Sequence, residues 1–263
     1  MKRILCVTVI AAVILSLFAG CKNSATPVTD FKYNIKDGEV IITKYLADDD
    51  TVVIPKKIED CPVTTIGVCS FMGKNLTSVS IPDTVTSIWD GAFMLCNRLS
   101  EVKMSKNVKE ISYEAFHYCE ALEQIQLPDG LETVGAKAFA ECSLKSLKIP
   151  KTLSNWGYAA FIDNASLQLL EFEEGLKTIR GSDAFCNCKS LEHLTIPKSV
   201  ELISERAFLN CPLKTVKFEG NAPAVCYGTI AFYPENNPVV IYYNKNTTGW
   251  DSPAFEHFTL IAE

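Results

Sequence analysis

Cysteine and histidine are the residue types in this chain most suited to chemistry, with eleven cysteines and three histidines. Cys186 and Cys188 stand too close together for an ordinary zinc knuckle and lack a second pair, so we expect no metal there. A nucleophilic triad needs a histidine beside a serine or cysteine and an orienting acid. His117, His193 and His257 lie far apart and do not indicate one. We therefore predict no enzyme, with a hydrolase site around His257 as the remote alternative.

Ligands for ions or cofactors are equally sparse. Asp48, Asp49 and Asp50 form an acidic run, but a calcium loop needs alternating ligands, a glycine and a distant glutamate. We interpret the run as a solvated turn before a strand. The 13 glycines are spread singly and form no phosphate-binding loop. We expect no cofactor and no small-molecule substrate.

The element that must position all these residues is a repeat anchored on an alanine-phenylalanine pair. Its phenylalanines recur at steps of 22 to 24 residues. They are Phe71, Phe93, Phe116, Phe139, Phe161, Phe185, Phe208 and Phe232. A regular period of this length predicts a solenoid, in which each repeat buries its apolar face only by stacking on its neighbours.

A cysteine three residues after the phenylalanine is the next feature of the repeat. It occurs at Cys96, Cys119, Cys142, Cys188 and Cys211. Stacked coils would point these side chains inward and in parallel, which is a poor orientation for a disulfide bond. We expect free buried thiols on this ladder. Cys61, Cys69, Cys186 and Cys226 lie off it and remain open to disulfide formation, with a Cys61–Cys69 bridge as one candidate for an exported protein.

Two apolar segments follow in each repeat. In the copy around Leu122, Ile125 and Leu127 alternate with polar residues, which is the period of a strand with one buried face. Pro128 ends that strand, because proline lacks an amide donor. The aliphatic pair Leu131 and Val134 then indicates a second short strand.

These residues resemble the BspA-like leucine-rich repeat family, whose repeat reads approximately I-P-x-x-V-x-x-I-G-x-x-A-F-x-x-C-x-x-L-x-x-V. The resemblance covers residues 53–218, with Lys74, Asn164 and Glu235 departing in the cysteine position. It implies a right-handed leucine-rich-repeat solenoid, α/β by convention but rich in β structure. One face would be a parallel sheet, the other short strands and turns, and both ends would be capped. The family includes adhesins, host-protein binders and many uncharacterised surface proteins.

The segments on either side of the repeats have the patterns of caps. Residues 31–52 alternate in hydropathy around Asp37-Gly38, which predicts a β-hairpin covering the open edge of the first coil. Residues 219–263 form a last irregular repeat and a C-terminal cap. In it we predict a loop from Pro234 to Pro238, strands at 239–243 and 258–261, and a buried Trp250.

The N-terminus has the pattern of an export signal. Lys2 and Arg3 precede an apolar run that ends before Cys21, and this run is too short to span a membrane. The pattern resembles a bacterial lipobox, which implies removal of residues 1–20, acylation of Cys21 and a flexible tether over residues 21–30. Removal of the two cations would lower the net charge from −6 to −8. An acidic chain of this kind does not suit a nucleic-acid partner.

Outward-facing residues of the predicted parallel sheet form the candidate binding face. They are Ser78, Glu101, Lys103, Gln124, Gln126, Ser146, Lys148, Leu169, Glu171, His193, Thr195, Thr215 and Lys217. A rigid face of this kind suits protein binding, and a merely solvated surface fits the same pattern. We predict a monomeric, lipid-anchored protein of a bacterial envelope, on the outer membrane facing outward, that binds a host or bacterial surface protein. The alternative is a periplasm-facing structural or assembly lipoprotein.

Overall fold

The computed structural model describes residues 24–225, 231–232 and 239–263. This part of the chain winds into a β-solenoid of about nine turns with parallel strands, as the period predicts. Its only helical elements are two 3₁₀ turns, Val28–Asp30 and Pro253–Phe255. No helix in these ranges has the length and hydropathy needed to cross a bilayer. The predicted export signal and Cys21 lie outside the described residues.

Each coil has three sides, and the longer strands lie on the first, which we call the long-strand side. These strands are Thr51–Val53, Ser78–Ser80, Glu101–Lys103, Ser146–Ile149, Leu169–Phe172, His193–Ile196, Thr215–Phe218, Val240–Tyr243 and Thr259–Ala262. Paired neighbours are parallel and in register from coil to coil, as Ser78 with Glu101 and His193 with Thr215 show. Alternate residues point into the core, which confirms the predicted strand with one buried face.

The second side, the short-strand side, carries the aliphatic pair that follows each proline. Its parallel strands are Cys61–Ile66, Ser87–Ile88, Glu110–Ile111, Thr133–Val134, Asn155–Trp156, Thr178–Ile179, Leu202–Ile203 and Ala224–Val225. Lys57–Ile58 adds a short antiparallel pairing with Cys61–Ile66. The prediction of a second short strand is confirmed.

The third side, the turn side, contains the alanine-phenylalanine pair and is built from tight turns. In the second coil the backbone amides of Gly91, Phe93 and Leu95 donate to carbonyls of the third coil at 2.7–2.8 Å. Met94 donates within its own coil to the Gly91 carbonyl at 3.0 Å. Amides therefore point alternately along the solenoid axis and into the turn, so that the backbone groups are satisfied without a strand.

Two residues of every turn take the left-handed conformation. They stand two residues before and two residues after the phenylalanine, and all fourteen positions from the Phe71 coil to the Phe208 coil have positive φ. Only Gly73 and Gly91 among them are glycines. For other residues this conformation costs about 1–2 kcal/mol each. The hydrogen bonds between coils hold the turn in place against that cost.

The phenylalanines form one continuous stack through the core. Neighbouring ring centroids from Phe71 to Phe232 lie 4.9 to 5.5 Å apart. Tyr45 of the N-terminal cap extends the stack at 5.3 Å from Phe71. The predicted alignment of the eight phenylalanines along one axis is confirmed. The ring spacing is set by the distance between coils, about 4.8 Å.

The cysteine ladder runs beside this stack and has a hydrogen-bonding role. The thiols of Cys96, Cys119, Cys142 and Cys211 each donate to the phenylalanine carbonyl of the preceding coil at 3.1–3.3 Å. In the same position, the Asn164 amide donates to the carbonyls of Phe139 and Phe161 at 2.8 and 2.9 Å. A small buried donor is therefore what the position requires, and Asn164 bridges coils as its side chain suggests.

All cysteines in the described ranges are free thiols, including those off the ladder. Cys61 and Cys69 are not joined, so the candidate bridge between them is absent from this structure. Burial raises the pKa of Cys96 and Cys142 to about 12 and that of Cys186 to about 11. Cys226 lies outside the described residues, and its pairing stays open.

The N-terminal cap is the predicted hairpin. Phe31–Lys36 and Glu39–Tyr45 pair antiparallel around Asp37 and Gly38, which have φ of 53° and 79° and so form the tight turn that Asp-Gly favours. The strand Glu39–Tyr45 then pairs in parallel with Cys61–Ile66 and covers that edge of the short-strand side.

In the first coil, the residue that replaces the repeat cysteine holds this cap in place. Lys74, in the cysteine position, donates to the Ala47 carbonyl at 2.7 Å and forms an ion pair with Asp48 at 2.8 Å. The Tyr45 hydroxyl donates to Asp49 at 3.0 Å. The acidic run is thus a turn that fastens the cap, in agreement with its interpretation from sequence.

The flexible tether predicted for residues 21–30 is too long. The Thr26 amide donates to the Val53 carbonyl, and the Thr26 hydroxyl accepts from the Val53 amide, both at 2.9 Å. The Asp30 carbonyl accepts from Leu46 at 2.8 Å. These bonds pair the chain with the first long strand, so the ordered cap begins at Thr26 instead of Phe31.

The C-terminal cap closes the stack with aromatic rings. Trp250 is buried, as predicted, with its ring 5.1 Å from those of Phe218 and Phe255. The predicted strands at 239–243 and 258–261 appear as Val240–Tyr243 and Thr259–Ala262. The loop predicted from Pro234 to Pro238 falls outside the described residues.

We expect Phe116→Ala to lower the free energy of unfolding by about 3–5 kcal/mol, because it removes a fully buried ring from the middle of the stack. Tyr113→Ala is the matched control in the same turn. Its ring is 48% exposed, so the change should stay within about 0.5 kcal/mol. Chemical denaturation measures both. Equal effects of the two substitutions would contradict a buried stack.

We also expect iodoacetamide at pH 8 to modify Cys69 rapidly and Cys61 slowly, since these thiols are exposed and half-buried. The ladder thiols should react only after unfolding, because they are buried. For Cys96 and Cys142, burial also raises the pKa of the thiol, which disfavours the reactive thiolate. Peptide mass spectrometry before and after denaturation identifies the modified residues. Modification of Cys119 in the native protein would show that the ladder is open to solvent.

Candidate binding face

The predicted face is assembled by the long-strand side. Its thirteen residues are all exposed or half-buried, and they alternate with buried residues of the core. Backbone register brings Ser78 beside Glu101, Ser80 beside Lys103, and Lys148 beside Glu171. Where strands are paired, the outward side chains therefore form two parallel columns, one through Ser78 and Glu101 and the other through Ser80 and Lys103.

The sheet that carries them is not continuous, contrary to the prediction of one long parallel sheet. It consists of three sections, with three, two and four strands. Gln124 and Gln126 lie outside any strand, in a segment joined to the next section by a single bridge from Gln124 to Ser146. The residues around Ile125 keep their core contacts, because Ile125 and Leu127 are buried, but they do not form a ladder.

The second interruption lies between Leu169–Phe172 and His193–Ile196. The short-strand side is interrupted at the same level, after Asn155–Trp156. The coil between these sections has 24 residues from Phe161 to Phe185, and its extra residue falls after Ile179. Gly181 in that stretch has a φ of 83°, and a Cβ there would lie 2.5 Å from the Gly157 carbonyl oxygen. The extra residue lies beside the interruption, but a longer coil does not by itself break a ladder, because Thr215 pairs with Val240 across 25 residues.

Two of the three lysines on the face are already paired. Lys148 Nζ lies 2.6 Å from Glu173 Oε1, and Lys217 Nζ lies 2.8 Å from Glu263 Oε2. Glu173 raises the pKa of Lys148, and Glu263 raises that of Lys217. Lys103 has no acidic partner within 4 Å in the described ranges. It is the lysine most available to a partner.

The C-terminal strands extend the two columns beyond Thr215 and Lys217, which the sequence reading missed. Thr215 pairs with Val240, which pairs with Thr259. Lys217 pairs with Tyr242, which pairs with Ile261. The alternation in these two strands was the available signal, because it assigns Val240, Tyr242 and Ile261 to the outer face. The face therefore ends in an apolar and aromatic section.

A shallow depression of about 650 Å³ lies across the last two sections of the sheet. Leu169, Glu171, His193, Thr215 and Tyr242 are among its lining residues. Leu169 is 53% exposed although it is a large apolar residue. The ring nitrogen Nδ1 of His193 lies 2.7 Å from the Thr215 hydroxyl oxygen, which fixes the imidazole beside it. A second depression lies between residues 100–106 and 124–129, at the first interruption.

The remaining histidines lie away from this face. His117 is buried on the turn side, with ring nitrogens 3.5 Å from Glu114 and 3.3 Å from Glu141. His257 is exposed in the C-terminal cap, 3.3 Å from Glu256. Among the described residues, no group of three or more histidine, cysteine or acidic side chains is arranged to hold a metal ion. The structure does not bring the three histidines together.

Comparison with known proteins identifies the same architecture. The chain matches the BspA type leucine rich repeat region over residues 51–168, 109–237 and 159–262. The crystal structure of a T. pallidum leucine rich repeat protein is 30% identical, covers 72% of this chain and 90% of its own, and gives a TM-score of 0.68. The crystal structure of a leucine-rich repeat protein from Bacteroides ovatus is 19% identical. It covers 91% of this chain and 76% of its own, and it gives a TM-score of 0.63. No curated protein sequence matches the chain.

Proposed function

The chain belongs to the BspA-type leucine-rich repeat family, and from this premise we propose that it is a protein-binding repeat module whose partner contacts the long-strand side. The depression across Leu169, His193 and Tyr242 carries the proposal. It combines an exposed aliphatic residue, a fixed imidazole and an aromatic ring with polar side chains around them. Aromatic anchors in a polar rim are the usual composition of a binding hot spot.

The rigidity of the face supports this proposal. Within each section of the sheet, hydrogen bonds between neighbouring strands hold the backbone before any partner arrives, so that association does not pay for ordering it there. Ion pairs such as Lys148 with Glu173 also fix charged side chains around the depression. The partner would therefore offer an apolar projection for the centre and polar groups of both signs for the margin.

The cellular setting belongs to the same proposal. Acylation of Cys21 would anchor the protein in a bacterial envelope, on the outer membrane and facing outward. Four residues separate Cys21 from Thr26, where the ordered cap begins, and the five steps between these two residues span at most about 18 Å. The first coil would therefore lie close to the bilayer. Stacking of the remaining coils at about 4.8 Å each would carry the apolar end of the face away from it.

Two alternatives follow from the same features. A periplasm-facing lipoprotein that assembles envelope components would use the same rigid face toward a different partner. A hydrolase built on the C-terminal cap has less support, because His257 is exposed beside Glu256 and not gathered with a nucleophile. Repeat modules of this family make binding the better proposal, and a non-enzymatic role stays a prediction.

We expect the double substitution Leu169→Ser with Tyr242→Ser to weaken partner binding at least about tenfold, since it removes the apolar centre of the face. The protein lacking residues 1–21 is first used to capture partners from host matrix and bacterial surface extracts. Affinity for the captured partner is then measured by surface plasmon resonance. Glu110→Ala, which changes an exposed residue of the short-strand side, is the control and should bind normally. Equal affinity of both variants would show that the partner does not bind the long-strand side.

We expect Cys21→Ser to abolish incorporation of a fatty-acid label and release the protein from membranes. Protease treatment of intact cells then tests orientation. Loss of the unmodified protein supports outward display, and its survival until the cells are broken supports the periplasmic alternative. A labelled, membrane-bound Cys21→Ser protein would exclude anchoring through this residue.

A further inference from the structure

A second surface of unusual composition lies on the turn side of the first three repeat coils. Val68, Met72, Trp89, Leu95 and Tyr113 are all 36–55% exposed there. They occupy three consecutive turns, so they are stacked at about 4.8 Å per coil. We call these five residues the turn-side patch. Exposed apolar patches with a polar rim mark interaction sites, whereas apolar residues scattered singly over a surface are normal.

The fold does not require these side chains. Trp89 stands four residues before its phenylalanine, where other coils have Gly67, Ser112, Gly135 and Gly157. At these glycines a Cβ would meet neighbouring atoms at 2.0–2.5 Å, which shows how little space the position usually offers. In the second coil, by contrast, the indole is directed outward and is 36% exposed.

Tyr113 is also a side chain that the fold does not require. It stands three residues before its phenylalanine, where the other coils have Val68, Asp90, Ala136, Tyr158, Ser182 and Glu205. Of these, Tyr158 is also an exposed tyrosine, at 50%. The ring of Tyr113 is 48% exposed. Packing explains the alanine and the phenylalanine that follow, but it does not explain an exposed tyrosine on this row.

Carboxylates surround the aromatic rings. Asp90 lies between Trp89 and the next turn, and its Oδ1 accepts from the Tyr113 amide at 3.2 Å, which fixes it beside the patch. Glu114 follows Tyr113 and raises the pKa of its hydroxyl through a side-chain hydrogen bond. The Glu114 side chain is 18% exposed and also lies 3.5 Å from a ring nitrogen of His117. These three turns, residues 67–73, 89–95 and 112–118, contain no lysine or arginine. Lys74, immediately beyond the first turn, is engaged by Ala47 and Asp48 of the cap.

We propose that the turn-side patch binds a cationic, partly apolar segment of a partner polypeptide. A lysine or arginine of that segment would lie over the ring of Trp89 or Tyr113 and pair with Asp90 or Glu114. Aliphatic side chains of the segment would cover Met72 and Leu95. Exposed aromatic rings attract cations by about 0.5–1 kcal/mol each, and the carboxylates add charge complementarity.

Charge selects this occupant over a second copy of the chain. The whole chain carries a net charge of −6, and the patch itself is acidic. Pairing two copies through it would bring like charges together, which is unfavourable. The patch and the long-strand side are different sides of the coil, so one molecule can engage a partner at each. The proposal stands without the function proposed for the long-strand side.

The test uses short synthetic peptides and the protein from residue 22 onward. One peptide alternates arginine with leucine, and its counterparts replace arginine by glutamine or by glutamate. Isothermal titration calorimetry at 50 and 300 mM salt should show binding of the arginine peptide, weakened by salt, and no binding of the glutamate peptide. Equal binding of all three peptides overturns the proposal.

The variants use residues taken from sister coils, so that the turn is preserved. Trp89→Ser with Tyr113→Ala should weaken the arginine peptide about tenfold. Asp90→Asn with Glu114→Gln should weaken it about fivefold and remove most of the salt dependence. Tyr158→Ala, which removes an equally exposed tyrosine from a later coil of the turn side, is the control and should bind normally.

Three results overturn the proposal. One is unchanged affinity of the first double variant when its unfolding midpoint matches that of the parent protein. Another is competition of the arginine peptide by a neutral oligosaccharide such as laminarihexaose, which assigns the patch to carbohydrate. The third is a dimer in sedimentation that the first double variant dissociates, which assigns it to a second copy.

Discussion

A coil of about 23 residues cannot satisfy its own backbone, and this constraint organises the molecule. Many amides and carbonyls of each coil point along the solenoid axis, and their partners lie in the coils above and below. The three sides solve the problem differently, with longer strands, two-residue strands and interleaved tight turns. The distance between coils is the same for all three. That one distance also fixes the spacing of the phenylalanine rings and brings each ladder thiol to the carbonyl of the preceding coil.

Backbone hydrogen bonds and buried side chains hold the coils together, so the outward-facing residues are free to vary. The long-strand side uses this freedom for mixed polar columns that become apolar toward the C-terminus, at Tyr242 and Ile261. The turn side uses it differently in its two halves. The first three coils display Trp89 and Tyr113, and one later coil displays Tyr158. Later coils also carry an amide ladder, in which Asn210 donates to Asn187 and Asn187 donates to Asp163. The same backbone therefore supports two surfaces of different chemistry.

The sequence predicted the features that depend on period and on residue size. The stack ending at Phe232, the hairpin at Asp37-Gly38 and the burial of Trp250 all follow from local patterns. The left-handed turns were not predicted, because glycine, aspartate and asparagine occupy fewer than half of the fourteen positions. The rest are residues such as Leu95, Glu114 and Lys137, which carry no signal for positive φ. The interruptions of the sheet were also missed. Hydropathy shows that Ile125 and Leu127 are buried but cannot show whether their amides pair with the next coil. The docking of Thr26 was missed because a polar residue near the chain end has no apolar pattern to report.

The coincident interruption of both sheets has a mechanical consequence. Between the coils of Phe161 and Phe185, the long-strand and short-strand sides lose their ladders. The turn side stays joined, because the Phe161 amide donates to the Ala184 carbonyl at 2.9 Å and the rings of Phe161 and Phe185 lie 5.2 Å apart. This arrangement is a hinge whose axis runs along the turn side, and the other two sides can open about it. Bending about it would change the separation of Leu169 and His193 more than any other pair of neighbours on the face. The width of the depression would then adjust to its occupant, with the coils on either side moving as rigid blocks.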